Sequence, residues 1–272
     1  MKRILLTLIF TAVAFAAPPD IGSPQYELCK ALEKMSFRYR DLGLVKKLVK
    51  KGADPIGECP GGFYPMYIAA ERGVAPVVKY FIEELKIPVD AKQLRYSKST
   101  GQYSGYTPLE AAIRTCNTGL AMYLLKKGAN PHIVNLRDPL EEVIGEIYPE
   151  YKKALIEAAA YEMKDRVRFL VLKLYDCLMT VGLVIDYGAD PNRRLSGNKT
   201  LLHVAAARGL PEVYEFLVKY GAREDVVDDF FYTPRDLKKK NIGDDPRSHP
   251  YYLDISLVYE LLDEWRSERK RK

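Results

Sequence analysis

Chemistry in this chain would have to begin with three histidines, His132, His203 and His249, and four cysteines, Cys29, Cys59, Cys116 and Cys177. His203 stands in "KTLLHVAAARGLPEVYEFLVKYGAR" (Lys199 to Arg223), beside an apolar run and close to Arg208, where a general base could sit. A base alone makes no site; a nucleophile and a group to hold developing charge are also needed. The sequence has no G-x-S-x-G, H-E-x-x-H, G-x-x-x-x-G-K-[ST] or G-x-G-x-x-G. No cysteine pair has the C-x-x-C spacing of a zinc ribbon or a dithiol redox site. The acidic pairs Asp228-Asp229 and Asp244-Asp245 lie in turn-like sequence and read as solvated loops. Asn198-Lys199-Thr200 fits a glycosylation acceptor and marks Asn198 as exposed.

The elements that would position these residues start after "MKRILLTLIFTAVAFAAPPD". Its basic start, apolar run and small residues at Ala14 and Ala16 are laid out as a signal peptide over residues 1–17, cleaved after Ala16 or Ala17. The run from Ile4 to Phe15 would cover about 18 Å as a helix, short of the roughly 30 Å hydrocarbon core. Export to the periplasm or the outside is therefore expected, with no integral membrane span. Removing Lys2 and Arg3 lowers the formal charge from +6 to +4. In an oxidising compartment the cysteines become disulfide candidates, with three pairings open. At 47% hydrophobic and 29% charged residues the chain is balanced enough to bury a core.

Two stretches can be superposed without a gap: "TPLEAAIRTCNTGLAMYLLKKGAN" (Thr107 to Asn130) and "TLLHVAAARGLPEVYEFLVKYGAR" (Thr200 to Arg223). Each opens on Thr, carries paired alanines and closes on Gly-Ala. Thr200 to Thr233 and Gly188 to Gly221 are both 33 residues apart, so two independent markers give one period. This pattern resembles the ankyrin repeat, a unit of about 33 residues with a β-turn and two helices. The resemblance implies an all-α solenoid of about six helix-pair units with hairpin fingers, near 24–54, 63–90, 105–131, 138–191, 198–223 and 231–265, within a domain spanning 24–265. A basic tail follows at 266–272, after an amphipathic capping helix whose apolar face is read as Leu257, Leu261, Leu262 and Trp265.

Three departures stand out. The second unit ends "LKIPVD" without Gly-Ala, and an extended connector separates Asp90 from Tyr106. The fourth unit runs fifty residues from Asp138 to Gly188, against twenty-one in the third and fifth. The inserted sequence has helical spacing and is expected to form longer or additional helices. An enzyme site there would draw on Tyr148, Tyr151, Lys152, Glu157 and Asp165, but no histidine or glycine loop accompanies them.

The resemblance also assigns roles. Thr107 and Pro108 open a helix, Gly128, Gly188 and Gly221 close one, and Thr200 with His203 forms a helix-start clasp. Repeat placement pairs Cys29 with Cys59 and Cys116 with Cys177. Ankyrin-repeat proteins bind other proteins through their fingers and the groove beside their first helices, which implies the same here. Arg38, Arg72, Arg114 and Arg208 fall at equivalent or adjacent first-helix positions, suiting a partner with an acidic face. In the connector, Arg95, Tyr96, Lys98, Tyr103 and Tyr106 mix aromatic anchors with polar residues, as binding loops do. The expectation is a monomeric, non-enzymatic module without cofactor or metal, binding a protein and not nucleic acid. Inhibition or protection of an exported enzyme or toxin, and an envelope scaffold, are the alternatives.

Overall fold

Helices of seven to nine residues are marginal alone in water, where roughly 12–15 are needed, so layers of such helices must hold one another. The computed structural model describes residues 19–36, 40–60, 62–91, 93–97, 102–132, 138–249 and 252–270; the signal-peptide segment, Arg38 and Lys98 lie outside these. The first unit is α1 (Pro24–Lys34) and α2 (Leu42–Lys50), and the second α3 (Pro65–Glu71) and α4 (Ala75–Glu83). Strands β1 (Gln93–Ser97) and β2 (Gln102–Tyr106) then form the only sheet among the described residues, an antiparallel finger. The third unit is α5 (Pro108–Arg114) and α6 (Thr118–Lys126). The fourth comprises α7 (Pro139–Glu142), a π-helical turn (Val143–Ile147), α8 (Tyr148–Ala160) and α9 (Lys164–Asp186). α10 (Leu201–Ala207) with α11 (Pro211–Lys219), and α12 (Pro234–Asn241) with α13 (Ser256–Lys270), complete the stack.

The paired alanines explain the close layering. Ala69, Ala70, Ala111, Ala112, Ala205 and Ala206 are fully buried, and a methyl group at each lets neighbouring first helices approach. Phe81, Leu124 and Leu217 fill the layer of second helices behind them. Three of the first helices start at a threonine, Thr107, Thr200 and Thr233: Thr107 accepts from the Glu110 backbone while Glu110 accepts from the Thr107 N–H, both at 3.2 Å. Four second helices close on glycines with positive φ, Gly52, Gly128, Gly188 and Gly221. In the second unit the turn is made by Lys86 at φ +59°, a left-handed conformation without glycine.

The inserted sequence does not add elements to the stack; it lengthens the two helices the unit already has. The first helix, seven residues in the third unit, continues here from Pro139 to Ala160, and the second grows from nine residues to twenty-three. The π-helical turn sits where an ordinary first helix would stop. There Gly145 packs so closely on the fifth unit that an added Cβ would lie 3.2 Å from Val204 Cγ1. Residues 159–166, at the tip of the long hairpin, are all exposed.

Cys29 is bonded to Cys59 and Cys116 to Cys177, with Cα separations of 5.7 and 4.5 Å that a disulfide spans. The first ties α1 to the finger that follows the first unit. The second ties the turn after α5 to α9. Cys116 lies at φ +49°, where the second and fifth units carry Gly73 and Gly209 at +66° and +63°. A left-handed position ordinarily reserved for glycine is thus occupied by half of a cross-link.

At the C-terminal end the buried stripe of α13 is Val258, Leu262 and Trp265, whereas Leu257 and Leu261 are exposed. The stripe is rotated by one residue from the sequence expectation, because Leu262 packs toward Gly182 of α9. The basic tail is not loose either. Arg266 grips both oxygens of Asp186 at 2.9 Å, and Arg269 donates to the Asp186 carbonyl at 3.0 Å and lies over the Tyr187 ring. Two cations therefore meet the C-terminal end of α9, where the helix dipole favours them.

Candidate interaction surface

His203 is architectural. It is fully buried, and its Nδ1 faces the Thr200 N–H at 3.1 Å and the Thr200 hydroxyl at 2.9 Å. A ring nitrogen facing a backbone N–H can only accept, so the proton resides on Nε2, which donates to the Tyr232 carbonyl at 3.1 Å. One imidazole thus fixes the start of α10 and the next finger together. Burial holds its pKa below the usual histidine range. Among the described residues no three His, Cys, Asp or Glu side chains converge to hold a metal, and no helix is long and apolar enough to cross a membrane.

Two of the insertion's candidate catalytic groups, Tyr148 and Lys152, are part of the core. Glu212 and Tyr148 are fully buried and Lys152 nearly so. Lys152 Nζ lies 2.6 and 2.8 Å from the two Glu212 oxygens, and the Tyr148 hydroxyl donates to Oε1 at 3.0 Å. Burial lowers the Lys152 pKa, with Glu212 pulling the other way, and burial also raises that of Tyr148. This triad welds α8 to the start of α11. Glu157 and Asp165 are exposed far from it on the hairpin, and Tyr151 is half-buried.

The arginine row is not continuous. Arg114 stands seven residues after its opener, Thr107, while Arg72 and Arg208 stand eight after Tyr64 and Thr200. That single step turns its side chain by about 100° on a helix. Arg114 reaches Glu142 of the fourth unit at 2.8–2.9 Å and lies over the Tyr106 ring. Burial opposes its charge and Glu142 more than restores it, leaving its pKa raised. It is a strut between units and not a free contact. Arg72 and Arg208 are exposed, and their guanidinium groups make no hydrogen bond or ion pair with a described residue. Arg72 opens onto a cleft of about 750 Å³ between the helix turns of the second and third units and the long helix α9. Lys173, Asp176 and Phe169 of α9 form its far wall, and burial raises the Asp176 pKa. In the β1–β2 finger Tyr96 is the register partner of Tyr103, and Arg95 that of Ser104.

One exposed feature escaped the sequence reading. In the finger between α11 and α12, Phe230, Phe231 and Tyr232 are 70%, 85% and 54% exposed. Buried Asp228 builds this tip: its Oδ1 accepts from the Phe230 and Tyr232 backbones at 2.9 and 3.0 Å, and its carbonyl from Phe231 at 3.1 Å. Phe231 is held at φ +63°, an outlier for a bulky residue. Arg194 of the preceding finger donates to the Val227 carbonyl at 2.8 Å, and Asp229 N–H to the Gly197 carbonyl at 3.1 Å. The signal was available as "DDFFYTP", three aromatics directly before a helix opener, where loop residues are ordinarily polar.

Comparison with known proteins agrees with this architecture. The family model for ankyrin repeats in three copies matches residues 34–135, and the single ankyrin-repeat model matches 197–229. Protein fem-1 homolog A of Rattus norvegicus is 36% identical over 64 residues, covering 24% of this chain and 10% of that protein. Protein phosphatase 1 regulatory subunit 27 of Homo sapiens is 37% identical over 60 residues, 22% of this chain and 39% of that protein. The chain thus spans about a tenth and about two fifths of these relatives. The long-helix unit and the C-terminal unit fall outside both family matches, where insertion and capping have changed the pattern. Such repeats indicate a protein–protein interaction module. With a 33-residue period, threonine-opened helix pairs, layered alanines and two family matches, the chain is an ankyrin-repeat protein.

Proposed function

We propose that the chain is an exported, non-enzymatic binder that grips one protein partner along the groove of its first helices and its fingers, the partner presenting an acidic face. The carrying observation is the exposure of Arg72 and Arg208 without an ion-pair partner among the described residues, when Arg114 and Arg266 are both engaged. An unpaired guanidinium offers a carboxylate two parallel hydrogen bonds at little reorganisation cost. The β1–β2 finger supplies aromatic positions at Tyr96 and Tyr103. Against an enzyme stands the burial of Lys152 and Tyr148 around Glu212.

The partner is tested by recovering proteins from the native periplasm with the parent chain and with R72E/R208E, the fold being checked by circular dichroism. Loss of the partner on charge reversal is expected; undiminished recovery would remove the arginines from the contact. Export is tested by fractionating cells that express the chain with and without residues 1–17. Retention of both forms in the cytoplasm would sink that part.

An inhibitor or protective binder of an exported enzyme or toxin is the narrower version. It is supported by the human relative, named as a regulatory subunit of a phosphatase, which is 37% identical to this chain over 60 residues. The envelope-scaffold version has less support, since Arg266 and Arg269 of the basic tail are engaged with α9 and Tyr187.

A further inference from the structure

The Phe230–Phe231 tip combines costs that a purely structural turn avoids. It leaves two phenyl rings in water and places one of them on a left-handed residue, although glycine would serve the backbone better. Asp228, His203, Arg194 and the Gly197 carbonyl hold its backbone from four directions. A rigid aromatic knob of this sort loses little conformational freedom on binding, which is how interface hot spots concentrate affinity. From Val226 to Tyr232 its charges are buried Asp228 and exposed Asp229, with the exposed Arg194 guanidinium against the Val227 carbonyl.

The opposite end of the stack carries a complementary hollow. Between α1 and α2, on the outermost layer, Ala31, Met35, Leu44 and Leu48 enclose about 360 Å³ rimmed by Lys30 and Lys34. Glu27 lies on the same rim, so two lysines against one acid leave it positive. End layers of a solenoid ordinarily turn a polar face outward; this one has a recess with buried Met35 and Leu48 and half-buried Ala31 and Leu44 around it. A cavity of about 150 Å³ accommodates benzene, so the recess has room for both phenyl rings. The knob and the recess belong to the fifth-to-sixth finger and to the first unit, with the rest of the stack between them, so a chain cannot fill its own recess.

We infer that these are the two halves of one contact, by which copies of the chain associate head to tail. Phe230 and Phe231 enter the recess of the next copy, and Asp229 meets Lys30 or Lys34. The contact is heterologous, so copies add in a row and do not close as a two-fold pair. Its small area makes it transient. This inference stands apart from the arginine groove, which it does not use.

Sedimentation of the full folded chain, taken to about 1 mM because a contact this small is weak, tests it. The parent's average mass should rise with concentration. F231G, which gives the left-handed position to glycine, should fold at least as stably yet associate at least tenfold more weakly; K30E/K34E should behave likewise. Mixed together, the two variants should recover a one-to-one dimer and nothing larger, because each retains the half the other lacks. R72E/R208E should associate as the parent does. A parent monomeric throughout, variants that associate unchanged, or a mixture that stays monomeric would overturn the inference. So would a monomeric parent whose tip binds phosphatidylcholine vesicles, which would assign the knob to lipid, or association lost only in R72E/R208E, which would move the contact to the groove.

Discussion

His203 shows how a residue type with chemical potential becomes a structural clasp. Replacing it with alanine strands the buried Thr200 N–H, at a cost of about 1–3 kcal/mol, whereas the Tyr232 carbonyl keeps the Asp228 N–H at 3.0 Å. H203A should therefore lose about 1–3 kcal/mol at pH 7.5, read by urea unfolding. The pH dependence has a definite sign. Burial depresses the folded-state pKa below the unfolded value of about 6.5, so the unfolded chain binds the proton first. The stability His203 contributes is present above about pH 6.5 and declines as the pH falls toward the depressed value. The gap between parent and H203A should narrow from pH 7.5 to pH 5, and a constant gap would contradict the depression of its pKa by burial. The clasp was legible because Thr200 and His203 keep the spacing of the repeat signature. The fate of Arg114 was not, although its one-residue offset was visible: the offset says which way the side chain turns, whereas Glu142 is brought opposite only by stacking the next unit.

Among the elements, α9 carries the most unusual demands. It is anchored by Cys177 to Cys116, a left-handed residue at a position that other units give to glycine. Removing the cross-link as C116A/C177A should destabilise the chain by about 2–5 kcal/mol. C116G/C177A loses the same bond but relieves the backbone, and should recover about 1 kcal/mol of that loss. Equal midpoints in urea for the two variants would show that the turn carries no strain. The helical nature of the insertion was readable from its apolar spacing. Its form was not, because continuation of two existing helices and addition of new ones give the same periodicity. The Lys152–Glu212 pair was equally hidden, its members standing sixty residues apart with no local pattern to join them.

As a whole molecule the stack should not unfold as one body, because its layers touch mainly their neighbours, the clasp of α13 on α9 being the exception. C29S/C59S removes the bond between α1 and the finger after the first unit. Hydrogen exchange should then lose protection in α1 and α2 while α10 and α11 keep theirs; uniform loss along the chain would show a single cooperative unit instead. The layer count was legible at this scale because a 33-residue period repeats wherever the chain is regular. The Phe230–Phe231 knob and the Leu44–Leu48 recess were not, since their meaning lies in what other residues fail to cover. The long hairpin has a further consequence. Its extra length is shared almost equally between an outgoing and a returning helix, so the chain re-enters the stack where an uninserted unit would. The exposed stretch at 159–166 is thus a mast above the layers, a place to graft a reporter or an affinity tag without disturbing the repeats below.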